Sequence, residues 1–335
     1  MIAFSWRQFR TQALIGAAGL VVLGVILLVT GPNLVHVYDA AVAQCRASGG
    51  SCNNPVANAD SKLQVLALGL VLVVPLVVGM FWGAPLVARE LETGTFRLAW
   101  TQSVSRLRWI LVKLGLVGLA SALVAGLLSL MVTWWFSPID KVTANRFGIA
   151  AFGMHGFVPA GYALFAFALG AVTGLLFRRT LPAMAVTLVG FVVTRLVVAD
   201  WVRPHFMSPI TEALKLNANT NQSWGFINSG SGGVSVSTGP PNLPNALIVT
   251  NSILNNQGQS PTSSFIQKAC PNLQSGGQQP FQRCVSAISA HYHQVVVYQP
   301  ANRFWAFQTY ETVLFVVLAA VLAGMSVWRV RHRLN

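Results

Sequence analysis

The run LQVLALGLVLVVPLVVGMFWGAPLV, from Leu63 to Val87, decides the fold class of this chain because it contains no charged residue. An α-helix rises about 1.5 Å per residue, so about 20 apolar residues cross the roughly 30 Å hydrocarbon core of a bilayer. Directly after this run the sequence becomes charged, with Arg89, Glu90 and Glu92. The run is therefore predicted to be a membrane-spanning helix that leaves the bilayer at these charges.

The rest of the chain repeats this pattern. Of its 335 residues 54% are hydrophobic and only 9% are charged, whereas soluble domains carry about 25% charged residues. Such a composition excludes an ordinary soluble protein and a disordered one. We predict an all-α polytopic membrane protein with six transmembrane helices, the other five being Ala13–Thr30, Ile110–Trp135, Phe157–Phe177, Leu181–Ala199 and Phe304–Trp328.

The positive charges predict the orientation. The chain has 22 Lys and Arg residues against 8 acidic ones, and the basic residues next to the spans fall on one side, which the positive-inside rule assigns to the cytoplasm. Both termini are thus expected in the cytoplasm, and nucleic acid is not an expected partner. The predicted domains are a cytoplasmic interfacial helix at 1–12, spans one to five within 13–199, an extracytoplasmic domain at 200–303, span six at 304–328 and a basic tail at 329–335.

The four cysteines agree with this topology. Cys45 and Cys52 lie in the first predicted outer loop, and Cys270 and Cys284 lie in the large one. Neighbouring cysteines outside the cell favour two local disulfides, although four free thiols remain the alternative.

The large outer segment is rich in Asn, Gln, Ser, Gly and Pro. Ala246–Thr250 and Gln294–Tyr298 are predicted to be short strands bounded by polar residues. Two interpretations stay open: a small, partly ordered domain held by one disulfide, or a loop without fixed structure. His291 and His293 share one face of a strand but have no nearby carboxylate or cysteine, so no metal site is predicted.

The segment between the second and third spans, residues 89–109, is the most informative for function. A turn at Gly94 separates the charged end of the second span from a second amphipathic helix with alternating basic and aromatic residues. Glu90 and Glu92 are the only acids on a predicted cytoplasmic face of about a dozen cations, which indicates specific partners for them within the loop or on another protein. The alternative is a generic amphipathic loop that is basic because it is cytoplasmic.

The order Arg89-Glu-Leu-Glu-Thr-Gly-Thr95, followed by Arg97 and by a Ser-x-x-Arg run to Arg106, resembles the coupling segment of ABC-2 type permeases. These are the membrane subunits of ATP-binding-cassette exporters. The stretches Ser5–Gln8, Val158–Phe167, Arg178–Met184 and Phe307–Glu311 are similar to the bacterial subgroup of this family.

The resemblance implies a permease subunit in the bacterial plasma membrane that works with a separate ATPase and a second permease chain. No G-x-x-x-x-G-K-[ST] phosphate loop occurs in the sequence, so no cofactor is expected in this chain, and ATP and Mg would bind to the partner ATPase. Closure of the ATPases would move the coupling segment and tilt spans two and five. The implied coupling residues are Glu90, Glu92, Gly94, Thr95, Arg97, Trp100, Arg106 and Arg108. A hydrophobic or amphipathic cargo is expected.

Arg195 and Glu311 fall well inside apolar spans, where charges are costly and are functional candidates. Arg195 lies about 21 Å from the inner end of span five, and Glu311 lies about 9 Å from the outer end of span six, as calculated from the helical rise. These depths coincide in a core of about 30 Å, so we predict an Arg195–Glu311 ion pair. Alternatives are that Arg195 extends to the headgroups or contacts substrate. Analogy with the family gives the candidate pathway residues Met80, Phe81, Trp82, Phe191 and Thr194.

Two other classes of function remain as alternatives. One is a membrane sensor or immunity protein that binds a ligand through the outer domain. The other is a membrane-embedded lipid-modifying enzyme, which requires polar catalytic groups at bilayer depth, and only Arg195 and Glu311 meet that requirement.

Overall fold

A computed structural model describes residues 2–47, 61–94, 105–143, 146–216, 223–229, 233–241, 243, 245–271 and 278–332. The chain divides into two compact units, a helical unit formed by Met1–Arg203 and Phe304–Asn335, and a mixed unit formed by Pro204–Arg303.

The helical unit holds six helices that are long and apolar enough to cross a membrane among the described residues. We number them span 1 to span 6: Phe9–Asn33, Gly69–Thr93, Leu107–Ser137, Val158–Phe177, Thr180–His205 and Ala301–His332. Their secondary structure consists of α-helices at Ile2–Ala47, Ser61–Val78, Ala84–Thr93, Arg106–Thr143, Val158–Phe177, Thr180–Val197 and Phe304–His332, with π-helical turns at Gly79–Gly83 and Val198–Val202 and a short helix at Ile149–Phe152.

Span 1 belongs to a longer helix than the sequence predicted. Ile2–Ala47 is one continuous helix, so residues 1–12 do not form a separate interfacial helix. The physical reason is local: no proline precedes Pro32, and the first glycine, Gly16, lies within the helix without ending it.

Span 4 is the centre of the helical unit. It is the most buried span, with 72% of its apolar window inside the protein, against 11% for span 1. It packs against spans 2, 3, 5 and 6. Its Ala and Gly residues allow this, because small side chains let helix backbones approach closely in lipid, where packing replaces the hydrophobic effect as the main attraction between helices.

The closest approach joins span 4 to the π-helical turn of span 2. A Cβ atom added to Gly170 would lie 2.3 Å from the Gly79 carbonyl oxygen and 2.7 Å from the Ala84 nitrogen. One added to Gly83 would lie 2.5 Å from the Phe167 carbonyl oxygen. Only glycine fits at these positions, since the atoms in the way belong to backbones and cannot move aside. Spans 2 and 4 are therefore in direct backbone contact.

The charged ends of the spans lie together. One hydrophobic cluster contains Phe9 of span 1, Val87 of span 2, Trp109 of span 3, Leu175 of span 4 and Val330 of span 6. We call this end, with the flanking cations Arg89, Arg108, Arg178 and Arg331, the basic end. A second cluster, which includes Leu27, Val71, Val132 and Met154, marks the opposite end. The alternation of the chain between two ends agrees with six crossings.

The described residues of the mixed unit form five strands, β1 Ile210–Leu214, β2 Trp224–Ser229, β3 Gly233–Thr238, β4 Leu247–Leu254 and β5 His293–Gln299. Strands β1, β5 and β4 form an antiparallel sheet in that order, and β2 pairs with β3. Helices Ser263–Ala269 and Gln278–Ser289 complete the unit. The prediction of an all-α protein is thus wrong for this segment, because β-branched runs such as Val295–Val297 favour strands.

The two strands predicted in this segment are confirmed within β4 and β5, which place Ile248 opposite Tyr298. A core that includes Ile253, Ile266 and Ile288 packs around the Cys270–Cys284 disulfide. This bridge was also predicted. Hence the described part of the segment is an ordered domain rather than a loop without fixed structure. The Cys45–Cys52 pairing falls outside the described residues.

Candidate coupling site and buried ion cluster

The helix Ala84–Thr93 forms the last turns of span 2 at the basic end. Pro85 lies in its first turn, directly after the π-helical turn Gly79–Gly83. The helix ends at Gly94, whose φ of +70° lies in the left-handed region that glycine adopts without steric cost. The predicted turn at Gly94 is confirmed. This helix carries both acidic residues of the predicted coupling segment, and each has a partner on a different span.

Glu90 connects span 2 to span 3. Its Oε1 accepts a hydrogen bond from Lys113 Nζ, and the two side chains form an ion pair of which Lys113 is 3% and Glu90 14% exposed. Lys113 also lies over the ring of Trp109, 4.8 Å from the centroid. A lysine on an otherwise apolar span is costly without a counter-ion. The pair therefore fixes the end of span 2 against span 3.

Glu92 connects span 2 to span 5. Its Oε2 accepts hydrogen bonds from Thr180 Oγ1 at 2.8 Å and from the Thr180 backbone nitrogen at 3.4 Å. Thr180 begins the helix of span 5, and the residue before it, Arg179, makes no side-chain capping bond. A carboxylate at a helix N-terminus satisfies a free N–H group and interacts favourably with the helix dipole. Glu92 thus caps span 5 from another helix.

The remaining predicted coupling residues are only partly described. Thr95, Arg97 and Trp100 lie outside the described residues, as does the side chain of Arg106. Arg108 is exposed at the start of span 3, where its backbone nitrogen donates to Ser105 Oγ at 3.3 Å. The described residues thus flank the connection between spans 2 and 3 on both sides.

A second polar cluster lies inside the helical unit. Glu311 of span 6, which is 1% exposed, accepts two hydrogen bonds from Arg203, from Nε at 2.8 Å and from Nη2 at 3.0 Å. It also accepts one from the Tyr162 hydroxyl of span 4. The Arg203 guanidinium lies over the Phe152 ring at 4.0 Å. Gln308, one turn before Glu311, donates to the Phe152 carbonyl oxygen at 3.0 Å. This cluster joins spans 4, 5 and 6.

The predicted Arg195–Glu311 ion pair is wrong, because the basic partner of Glu311 is Arg203 and not Arg195. Arg195 instead lies over the Tyr162 ring, 5.0 Å from the centroid. Span 5 does not end at Ala199 as predicted: it continues through the π-helical turn Val198–Val202 to His205. Arg203 is therefore inside the span, about 12 Å beyond Arg195 by the helical rise. A sequence prediction that extended span 5 to Pro204 would have included Arg203 in the span.

The candidate pathway residues do not form one surface. Trp82 packs edge-on against Phe9 with ring centroids 5.0 Å apart, whereas Phe81 is 52% exposed. Phe191 is buried beside Tyr162, and Thr194 donates to the Gly190 carbonyl oxygen within its own helix. Met80 is half-buried in the π-helical turn. Trp82 borders a cavity.

Six apolar helices, one of which, span 4, is buried at the centre, indicate a multi-pass membrane protein. The chain matches the family described as ABC-2 membrane transporter related over residues 17–203, more than half of its length, and it belongs to that family. The predicted resemblance is thereby confirmed, and membership implies a transport subunit rather than an enzyme. No curated protein and no solved structure matches the chain significantly.

Proposed function

We propose that this chain is the permease subunit of an ATP-driven exporter in the bacterial plasma membrane, with both termini and the basic end in the cytoplasm. A separate ATPase subunit binds ATP and Mg, and a second permease chain completes the transporter. The cargo is hydrophobic or amphipathic and moves outward by alternating access.

One observation carries the proposal: the helix that precedes the connection of residues 94–105 is joined to two other spans by its two carboxylates. Glu90 binds Lys113 of span 3, and Glu92 binds Thr180 of span 5. The backbone contact between Gly170 and span 2 connects span 4 to the same helix. A displacement of the connection by an ATPase is therefore transmitted to four spans at once, which is what a coupling segment must do.

The first experiment tests the partner. The chain is expressed with a candidate ATPase subunit encoded by a neighbouring reading frame, and a photo-crosslinking amino acid is placed at Trp100. The matched control carries it at Phe157, which is 62% exposed at the far end of span 4. We expect crosslinks to the ATPase from position 100 only. Equal crosslinking from both positions, or none from position 100 in an active transporter, contradicts the proposal.

The second experiment tests the transmission of movement. Thr180→Val removes the hydroxyl that Glu92 binds, and we expect the ATPase to copurify while permease-dependent stimulation of ATP hydrolysis falls severalfold. Asp39→Asn is the control, since Asp39 is an exposed acid on the helix Ile2–Ala47. A Thr180→Val protein with full stimulation refutes the role of Glu92. ATP hydrolysis that never responds to the permease favours the sensor alternative.

A further inference from the structure

A cavity of about 420 Å³ opens at the basic end between the start of span 1, the end of span 2 and the start of span 3. Its volume falls in the range of sites that hold small molecules. Thr93 is the terminal residue of span 2 and lines the cavity, so the cavity begins at the end of that span. Trp82 also lines it and lies about 16 Å deeper along span 2 by the helical rise.

The lining of this cavity changes from polar to apolar with depth. Along span 2 it presents Arg89 and Glu90 near the end of the span and Trp82 deeper, and along span 3 Val117 lies deeper than Lys113. A free ion would gain no favourable contact from the apolar wall, and a wholly apolar molecule would leave the charged groups without partners. The graded lining therefore fits an amphiphile whose polar head lies toward the end of the spans.

The charges specify what the head must offer. Lys113 and Glu90 neutralise each other, which leaves Arg89 as the net charge of the lining, and Arg89 makes no ion pair within the described residues. An anionic group is therefore favoured beside it. Glu90 Oε2, in contrast, is buried without a hydrogen-bond partner in the described part of the protein. A buried carboxylate oxygen requires a donor, best a charged one.

We propose that this cavity binds a zwitterionic aminophospholipid of the leaflet at the basic end. The lipid phosphate pairs with Arg89, and the glycerol and upper acyl chain contact Trp82 and Val117. The primary ammonium donates to Glu90 Oε2 once the Glu90 side chain rotates to expose that atom to the cavity. A trimethylammonium head has no N–H to donate, so it satisfies only half of the site. A phosphoglycerol head donates only through neutral hydroxyl groups. The site exists in the permease chain alone and does not depend on transport.

The test uses the purified full-length chain without any ATPase. Native mass spectrometry measures binding of phosphatidylethanolamine, phosphatidylcholine and phosphatidylglycerol with identical acyl chains. We expect phosphatidylethanolamine to bind about tenfold more tightly than phosphatidylcholine, because one charge-assisted hydrogen bond is lost. Equal binding of these two lipids, or preferred binding of phosphatidylglycerol, overturns the assignment.

Variants then locate the site. Arg89→Gln is expected to weaken phosphatidylethanolamine binding about tenfold, since it removes one charge-assisted contact to the phosphate. Arg331→Gln is the control, because Arg331 is an exposed cation at the same end that does not line the cavity. Equal losses in both variants would mean general attraction to a basic surface and would overturn the proposal. Glu90→Gln should reduce the difference in binding affinity between phosphatidylethanolamine and phosphatidylcholine. An unchanged difference in affinity contradicts the role of Glu90.

Discussion

Replacement of Arg203 tests the buried ion cluster most directly. Arg203→Met keeps an apolar stem of similar length but leaves the Glu311 carboxylate with the Tyr162 hydroxyl as its remaining hydrogen-bond partner within the described residues. Removal of one member of a buried ion pair typically costs about 3–5 kcal/mol, because the other charge stays buried without compensation. Glu311→Gln leaves the guanidinium uncompensated, so we expect a loss of the same size.

The double variant separates the pair from its two members. Arg203→Met with Glu311→Gln removes both charges, so the loss should stay close to that of one single variant, which gives a coupling energy of about 3–5 kcal/mol. The matched cycle pairs Arg195→Met with Glu311→Gln. Arg195 lies over the ring of Tyr162 and forms no ion pair with Glu311 in the described part of the chain, so its coupling to Glu311 should stay below about 1 kcal/mol.

The assay is unfolding of the purified protein in mixed micelles with increasing SDS, followed by tryptophan fluorescence. Size-exclusion chromatography of each variant in mild detergent shows that the starting state is folded. Additive losses for Arg203 and Glu311 would refute the pairing, and a larger coupling of Glu311 to Arg195 would restore the partner predicted from depth alone.

Two further predictions concern other parts of the molecule. Gly170→Ala places a methyl group against the backbone of span 2, so we expect it to lower the free energy of unfolding by about 1–3 kcal/mol or more in the same assay. Gly115→Ala is the control, because its methyl group meets no atom within 4 Å and should leave that free energy unchanged. Equal effects of the two substitutions would contradict the backbone contact. The Cys270–Cys284 bridge closes a loop with a sequence separation of 14, so Cys270→Ser with Cys284→Ser should destabilise the mixed unit by about 3 kcal/mol. That loss appears as faster trypsin cleavage between residues 204 and 303 in the full chain, and unchanged cleavage rates would show that the bridge adds nothing.

Much of the helical unit could be predicted, because the thickness of the bilayer fixes the number of apolar residues that a membrane-spanning helix needs. The six spans lie where hydropathy puts them, and Gly94 ends its helix because of its own conformational freedom. The acidic residues of the coupling segment were recognised from their rarity among cations. Their partners were not, because Lys113 and Thr180 are brought near Glu90 and Glu92 only by the packing of spans 3 and 5.

The failures have physical causes of the same kind. The prediction compared only the depths of residues along their helices, and by depth Glu311 matched Arg195. The actual partner also depends on the direction in which each side chain leaves span 5. That direction, together with the extra residue of the π-helical turn, brings Arg203 to Glu311. The π-helical turn of span 2 is also invisible to hydropathy, since its residues are as apolar as those around it. The mixed unit was recognised only at β4 and β5, where β-branched residues are concentrated.

The glycine contact between spans 2 and 4 limits how this protein can change shape. Two helices that touch through side chains slide when rotamers adjust, but carbonyl oxygens pressed against Cα atoms have no such freedom. These two spans must therefore travel together as one stiff body. Span 1, which packs mainly against span 3 and is largely uncovered, is left as the part of the bundle that is easiest to displace.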